Sequence, residues 1–271
     1  MRQTLAIAFL VVSGLALGLA TVRIAPRLDA RWHALDSSSV LFVPDSVSRD
    51  PSRAARIVLV LPGLGGVGRD LGDAFTDAAE ANRWLLVAPS PVYDPLGGET
   101  LEYADLRVDN ELLDLVDRAT RRSPAPLTTG IGVVGFSRGA QQAHRFALRH
   151  SDRVTALASL SAGTYTMPNS QSPYPIGIGG FEQWDGGRPF DAAGLRRVNV
   201  LVGVGALDEN PADVVRAWDA VGGTTRVERA VRFAHALTDL EVTVRFQLYP
   251  KTGHVFTPAM RDDAVALLRA T

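Results

Sequence analysis

The pentapeptide Gly135-Phe136-Ser137-Arg138-Gly139 is the first place in this sequence where residue types and spacing suggest chemistry. A serine held on a sharp turn from strand to helix projects its hydroxyl outward. Glycines on either side remove the Cβ atoms that would collide as strand and helix converge. Here an aliphatic run, Ile131 to Val134, leads in, and a helical pattern through Ala140, Ala143, Phe146 and Ala147 leads out. The competing reading is a glycine-rich turn whose serine only caps the helix.

A serine hydroxyl is a poor nucleophile until a base takes its proton. Of five histidines, His254 is the candidate base, because Pro250-Lys251-Thr252-Gly253-His254 follows the last strand directly. His144 and His150 ride the helix after the serine and are expected to face solvent or neighbouring turns. His33 falls in an N-terminal linker and His235 in a helical stretch. The base needs an anion to fix its tautomer. Asp208 supplies one at the end of the Val198 to Val204 run. Glu209 is the adjacent rival; a short acid directly after a strand is held more rigidly, which favours Asp208. Its other reading is the N-cap of a following helix. The order serine, acid, histidine suits acyl transfer at a strand edge. An oxyanion would need two backbone N–H donors. Arg138 offers one, and the glycine-rich loop Pro62-Gly63-Leu64-Gly65-Gly66 offers the other at Leu64. As a phosphate cradle that loop fails, since no lysine follows its glycines.

These residues must be positioned by the elements around them. Val40 to Val43, Ile57 to Leu61, Trp84 to Ala88, Ile131 to Gly135, Val154 to Leu160, Val198 to Val204 and Val244 to Tyr249 read as strands. Several are near-continuous aliphatic runs, as in a parallel sheet covered on both faces. Helical patterns lie between them over Leu71 to Asn82, Leu106 to Arg122 and Ala140 to His150. Pro211 and Pro258 sit where first-turn prolines open two further helices. The alternation predicts an α/β, doubly wound and mostly parallel sheet, with chemistry in the loops at the strands' carboxyl ends. Gly163 to Gly194 breaks the rhythm and is rich in aromatics. It is expected to form a partial lid in which Tyr165 and Trp184 line a substrate pocket; packing as a satellite cluster is the alternative.

The formal net charge is −1, so no field draws the chain to nucleic acid. Cysteine is absent, which excludes disulfides and thiolate chemistry. With 271 residues, one large domain is expected over 40–271. Residues 1–25 carry an apolar run from Leu5 to Val22 and read as a signal peptide or membrane anchor. Gly18-Leu19-Ala20 offers a cleavage site, whereas Arg23, Arg27 and Arg31 favour retention. Residues 26–39 read as a linker, and the domain is expected outside the cytoplasm, tied to a membrane by its N-terminal segment.

The glycine loop, the G-x-S-x-G turn, the strand-end Asp208 and the late Gly253-His254 resemble the α/β-hydrolase superfamily from about residue 40 onward. Leu61-Pro62-Gly63-Leu64-Gly65-Gly66 and Tyr249-Pro250-Lys251-Thr252-Gly253-His254 are similar to the small secreted esterases around polyhydroxybutyrate depolymerases, feruloyl esterases and dienelactone-hydrolase-like proteins. Many of those carry His-Gly where this chain has Pro62-Gly63. The resemblance implies an α/β-hydrolase fold and a serine hydrolase acting on a small or polymeric carboxylic ester without metal or organic cofactor. A peptidase or acyltransferase on the same residues is the alternative, as is a non-catalytic membrane-anchored binding protein of the same fold.

Overall fold

A computed structural model of the protein describes residues 29–93 and 101–271. The expected signal peptide or anchor over 1–25 lies outside the described residues, and no helix among the described residues is long and apolar enough to cross a membrane.

The strands are β1 (Trp32–Ala34), β2 (Val40–Phe42), β3 (Arg56–Leu61), β4 (Trp84–Ala88), β5 (Ile131–Phe136), β6 (Val154–Leu160), β7 (Asn199–Gly205) and β8 (Val244–Tyr249). They form one sheet in the order β1-β2-β4-β3-β5-β6-β7-β8. The β1–β2 and β2–β4 pairs are antiparallel and the others parallel. Chain order and sheet order part at β3 and β4, so successive crossovers place helices on both faces.

The first helices are α1 (Asp45–Arg49), α2 (Gly68–Asp73), α3 (Thr76–Asn82), α4 (Leu101–Arg122) and α5 (Arg138–Arg149). There follow α6 (Phe181–Trp184), α7 (Ala192–Leu195), α8 (Asp219–Gly222), α9 (Arg226–Asp239) and α10 (Pro258–Arg269). The pleat of β3 explains the two-sided architecture. Ile57, Leu59 and Leu61 join a core with Val108 and Leu112 of α4, Phe146 of α5 and Phe233 of α9. Val58 and Val60 point the other way, into a core with Ala79 of α3 and Met260, Ala264 and Leu268 of α10. Alternate side chains thus feed opposite cores, which is why the run needs no polar position.

Four sequence expectations are revised. The linker expected over 26–39 contains β1, where Trp32 packs on Phe42 with ring centroids 5.2 Å apart and donates its indole N–H to Asp73 at 2.9 Å. Trp-His-Ala lacks the aliphatic alternation that marks a strand, so pairing with β2 decides it. The helix expected over Leu71 to Asn82 is two helices, broken at Ala74 and Phe75. The helix expected at Pro211 is only a pair of 3-10 turns, Pro211–Asp213 and Arg216–Trp218, because Val214 and Val215 between them are extended. Finally, of the two orientations expected for His144 and His150, solvent is excluded because both are buried, while His144 does meet the preceding turn of its own helix. The His144 ring accepts the Thr166 N–H at Nε2, 2.9 Å, and donates from Nδ1 to the Ala140 carbonyl, 3.0 Å. Burial holds it well below the ordinary imidazole value, and the neighbouring Arg145 charge acts in the same direction.

Candidate active site

Ser137 sits between β5 and α5 with φ 56° and ψ −119°, a conformation costly for a residue with a side chain. The surroundings enforce it. The Ser137 N–H donates to the Leu160 carbonyl of β6 at 2.9 Å. A Cβ on Gly135 would stand 2.7 Å from the Ala140 nitrogen, and one on Gly139 would stand 2.6 Å from the Leu61 carbonyl carbon. The two flanking glycines therefore let α5 turn back tightly against β5 and β3.

The loop after β8 carries His254. It is pinned to the loop after β7, where the Ala206 N–H donates to the Tyr249 carbonyl at 2.9 Å and the Leu207 N–H to the Thr252 carbonyl at 2.8 Å. These bonds bring Asp208 and His254 together across 46 residues. His254 Nδ1 lies 2.7 Å from Asp208 Oδ2, and Nε2 lies 2.8 Å from Ser137 Oγ. An ionised carboxylate can only accept, so Nδ1 carries the proton and Nε2 accepts from the serine hydroxyl. The Phe136 ring stacks on the imidazole at 5.2 Å. Glu209, the rival acid, is exposed, whereas Asp208 is buried.

Burial alone would raise the Asp208 carboxyl. Hydrogen bonds and charge from His254 and Arg226 more than offset this and hold it below the ordinary carboxylate value. Arg226 Nη1 donates to Asp208 Oδ1 at 2.9 Å. No sequence signal marked Arg226, which looks like one more arginine in a helix.

The loop Pro62–Gly66 passes over the serine. A Cβ on Gly63 would stand 3.2 Å from the Ser137 Cβ and 3.7 Å from Oγ. The Gly66 N–H closes a turn on the Gly63 carbonyl at 3.0 Å, with Gly65 at φ 70°, and the Leu64 side chain stands in solvent. Arg138 opens α5, where N–H groups have no intrahelical acceptor. The two segments are tied together. The Tyr93 O–H donates to the Pro62 carbonyl at 3.1 Å, the Arg138 guanidinium lies 4.6 Å from the Tyr93 ring centroid, and Arg138 Nη2 donates to buried Asp105 at 2.5 Å. Asp105 also pairs with Arg145 at 2.8 Å. Asp105 and Asp109 sit four apart on the buried face of α4; two carboxylates on an apolar stripe are the signal that could have revealed this ionic cluster.

Tyr165 is not available to a substrate. It is 1% exposed, stacks on Phe233 with centroids 4.4 Å apart, and meets His144 at 5.1 Å. The strand-end position that suggested a pocket instead turns its ring down beneath the loop, where apolar burial is favourable. Trp184 is half-buried, edge-on to Tyr103 at 5.4 Å and close to Tyr174 at 6.2 Å. The stretch from Gly163 to Gly194 is a compact cover, with Tyr174 and Phe181 buried and α6 and α7 embedded in it. Among the described residues no three His, Asp or Glu side chains converge to hold a metal ion.

Residues 69–258, more than half of the chain, match the esterase family model. The span includes Ser137, Asp208 and His254, and the loop Pro62–Gly66 precedes it. A poly(aspartic acid) hydrolase-1 from Sphingomonas sp. KT-1 is similar in structure, with a TM-score of 0.63 and 20% identity over 85% of this chain and 92% of that one. The poly(3-hydroxybutyrate) depolymerase LpqC from Bordetella parapertussis gives 0.62 and 18%, over 85% of this chain and 84% of that one. Acyl-protein thioesterase 2 of Zea mays gives 0.57 and 16%, over 86% and 97%. At such identities the likeness concerns the fold. No curated protein matches the sequence. By its family match and its sheet, this chain belongs to the esterase family of α/β-hydrolases.

Proposed function

We propose that the protein is a serine hydrolase that cleaves a carboxylic ester through an acyl-enzyme. The observation that carries this reading is the continuous line from Asp208 Oδ2 through His254 to Ser137 Oγ, at 2.7 and 2.8 Å. In the first half-reaction Ser137 Oγ attacks the ester carbonyl and its proton passes to His254 Nε2. Asp208 keeps the imidazole in the required tautomer and stabilises the imidazolium. The N–H groups of Leu64 and Arg138 receive the oxyanion. Collapse expels the alcohol, which takes the proton from His254. Water then attacks the acyl-serine by the same route and releases the acid.

Exposed apolar side chains occur on the same loops as the candidate residues. Leu64, Leu207 and Val255 are exposed on the loops after β3, β7 and β8, which favours esters with apolar groups. A fluorophosphonate probe, nitrophenyl esters of rising chain length and peptide anilides test the reading together. Ser137→Ala should abolish labelling and lower ester turnover by about 10³-fold or more, with the fold intact. Labelling and turnover retained in that variant would refute Ser137 as nucleophile; hydrolysis of anilides in preference to esters would refute the substrate class.

A further inference from the structure

We propose that Arg226 is the positioning residue of the acid: it fixes the second carboxylate oxygen of Asp208 and so holds His254 in line with Ser137. The proposal rests on the reading that Asp208 partners His254.

A carboxylate that orients a base must not rotate. Asp208 is 3% exposed, and its two oxygens are held from different elements: Oδ2 by His254 at 2.7 Å and Oδ1 by Arg226 Nη1 at 2.9 Å. Arg226 is itself anchored. It is the first residue of α9, behind the Thr225 N-cap, so its backbone belongs to a crossover helix and not to a mobile loop. Its Nη2 donates to the Asp213 carbonyl at 2.8 Å, which closes the connection from β7 to α9 around the acid. The planar fork of the guanidinium serves the two acceptors from separate nitrogens in a fixed geometry. On its other side, a Cβ at Gly163 would stand 3.8 Å from Arg226 Nε, so the segment after β6 backs the guanidinium.

The charge has a second consequence. An arginine beside Asp208 also stabilises the carboxylate that it holds. The other charged or titratable groups around Asp208 do not replace it. From the β6 segment comes the Tyr165 phenol, which is neutral and buried. Asp213 lies 3.8 Å from Arg226 and is partly exposed, Arg229 is engaged by Asp219 at 2.8 Å, and Glu209 is exposed. Only His254 and Arg226 hydrogen-bond the acid among the described residues.

The test compares Arg226→Met and Arg226→Lys with the unaltered full chain on a nitrophenyl ester, with kcat and KM resolved separately and melting temperature measured beside activity. Arg226→Met should lower kcat by about tenfold with KM unchanged, because a loosened acid misplaces the base. Arg226→Lys should recover only part of kcat, since a point charge lacks the fork. A lower melting temperature in Arg226→Met with kcat unmoved would overturn the proposal and leave a purely structural ion pair. Should Arg226→Met fail to fold, the lysine variant decides: wild-type kcat there would refute the need for the fork. Asp208→Asn, assayed in parallel, separates the two ideas. Full activity in that variant would refute the underlying assignment of the acid, whatever Arg226 does.

Discussion

Gly139 and Gly253 both belong to the glycine-bearing motifs next to the candidate site, yet alanine at the two positions should have opposite consequences. At Gly139 a Cβ would stand 2.6 Å from the Leu61 carbonyl carbon, where ordinary contact begins at 3.4 Å. Either α5 or the end of β3 must then retreat into packed cores on both faces, by more than about 0.8 Å because the Leu61 and Pro62 carbonyl oxygens would lie closer still. Backbone cannot swing aside as a flexible side chain would, so the cost belongs at the upper end of overpacking, about 3 kcal/mol. For a domain of this size that lowers the melting temperature by about 6–12 °C. The same retreat shifts Ser137 relative to His254 and the loop Pro62–Gly66, and a displacement near 1 Å costs on the order of 10²-fold in turnover. At Gly253 no atom lies within 4 Å of the added carbon, and its φ is outside the left-handed range. Gly253→Ala should change stability by less than about 0.5 kcal/mol and leave turnover intact. Melting followed by circular dichroism, together with nitrophenyl ester kinetics on the soluble variants, provides the comparison. Gly139→Ala with unchanged melting and turnover, or Gly253→Ala as damaging as Gly139→Ala, would refute the steric account of the serine turn.

Other expectations concern individual side chains. Asp208→Asn should lower turnover by about 10⁴-fold, whereas Glu209→Gln, at an exposed position, should change it little; a reversal in the kinetics would transfer the acid to Glu209. Because the Asp208 carboxyl is held below its ordinary value, its bonds add stability that is complete above the ordinary carboxylate range and is lost as pH falls below it. Asp208→Asn should therefore flatten the acid side of a melting-temperature profile, and an unchanged profile would exclude the linkage. Tyr165→Ala should destabilise the fold by about 3–5 kcal/mol, as for other large core truncations, and lower activity evenly across esters. Trp184→Ala should instead alter the chain-length preference while sparing the smallest ester. Equal loss on every ester in the Trp184 variant would leave that side chain a purely structural part of the aromatic cluster.

Much of this molecule is legible in its sequence, for a physical reason. A strand covered on both faces is apolar at most of its positions, so β3 to β7 appear as largely aliphatic runs whatever their order in the sheet. A serine on a strained turn needs glycine neighbours, so the G-x-S-x-G turn is a local consequence of local sterics. Asp208 and His254 were visible because each directly follows a strand. What the sequence left open was decided by contacts between distant segments. Three neutral-looking residues at Trp32–Ala34 become a strand only because β2 presents an unpaired edge. Tyr165 was assigned to a pocket from its distance along the chain, and it went into the core because Phe233, 68 positions later, supplies a ring for it to stack on. Nothing local to His144 and His150 chose between solvent and a neighbouring turn; Thr166 and Asp109, brought over α5 by other segments, give them buried partners. Arg226 had no signal at all, since its role depends on which carboxylate oxygen it meets. Burial pattern and turn sterics are properties of neighbours in sequence, so the chain writes them locally. The partner of a buried polar group is a property of the folded arrangement, and only tertiary structure fixes it.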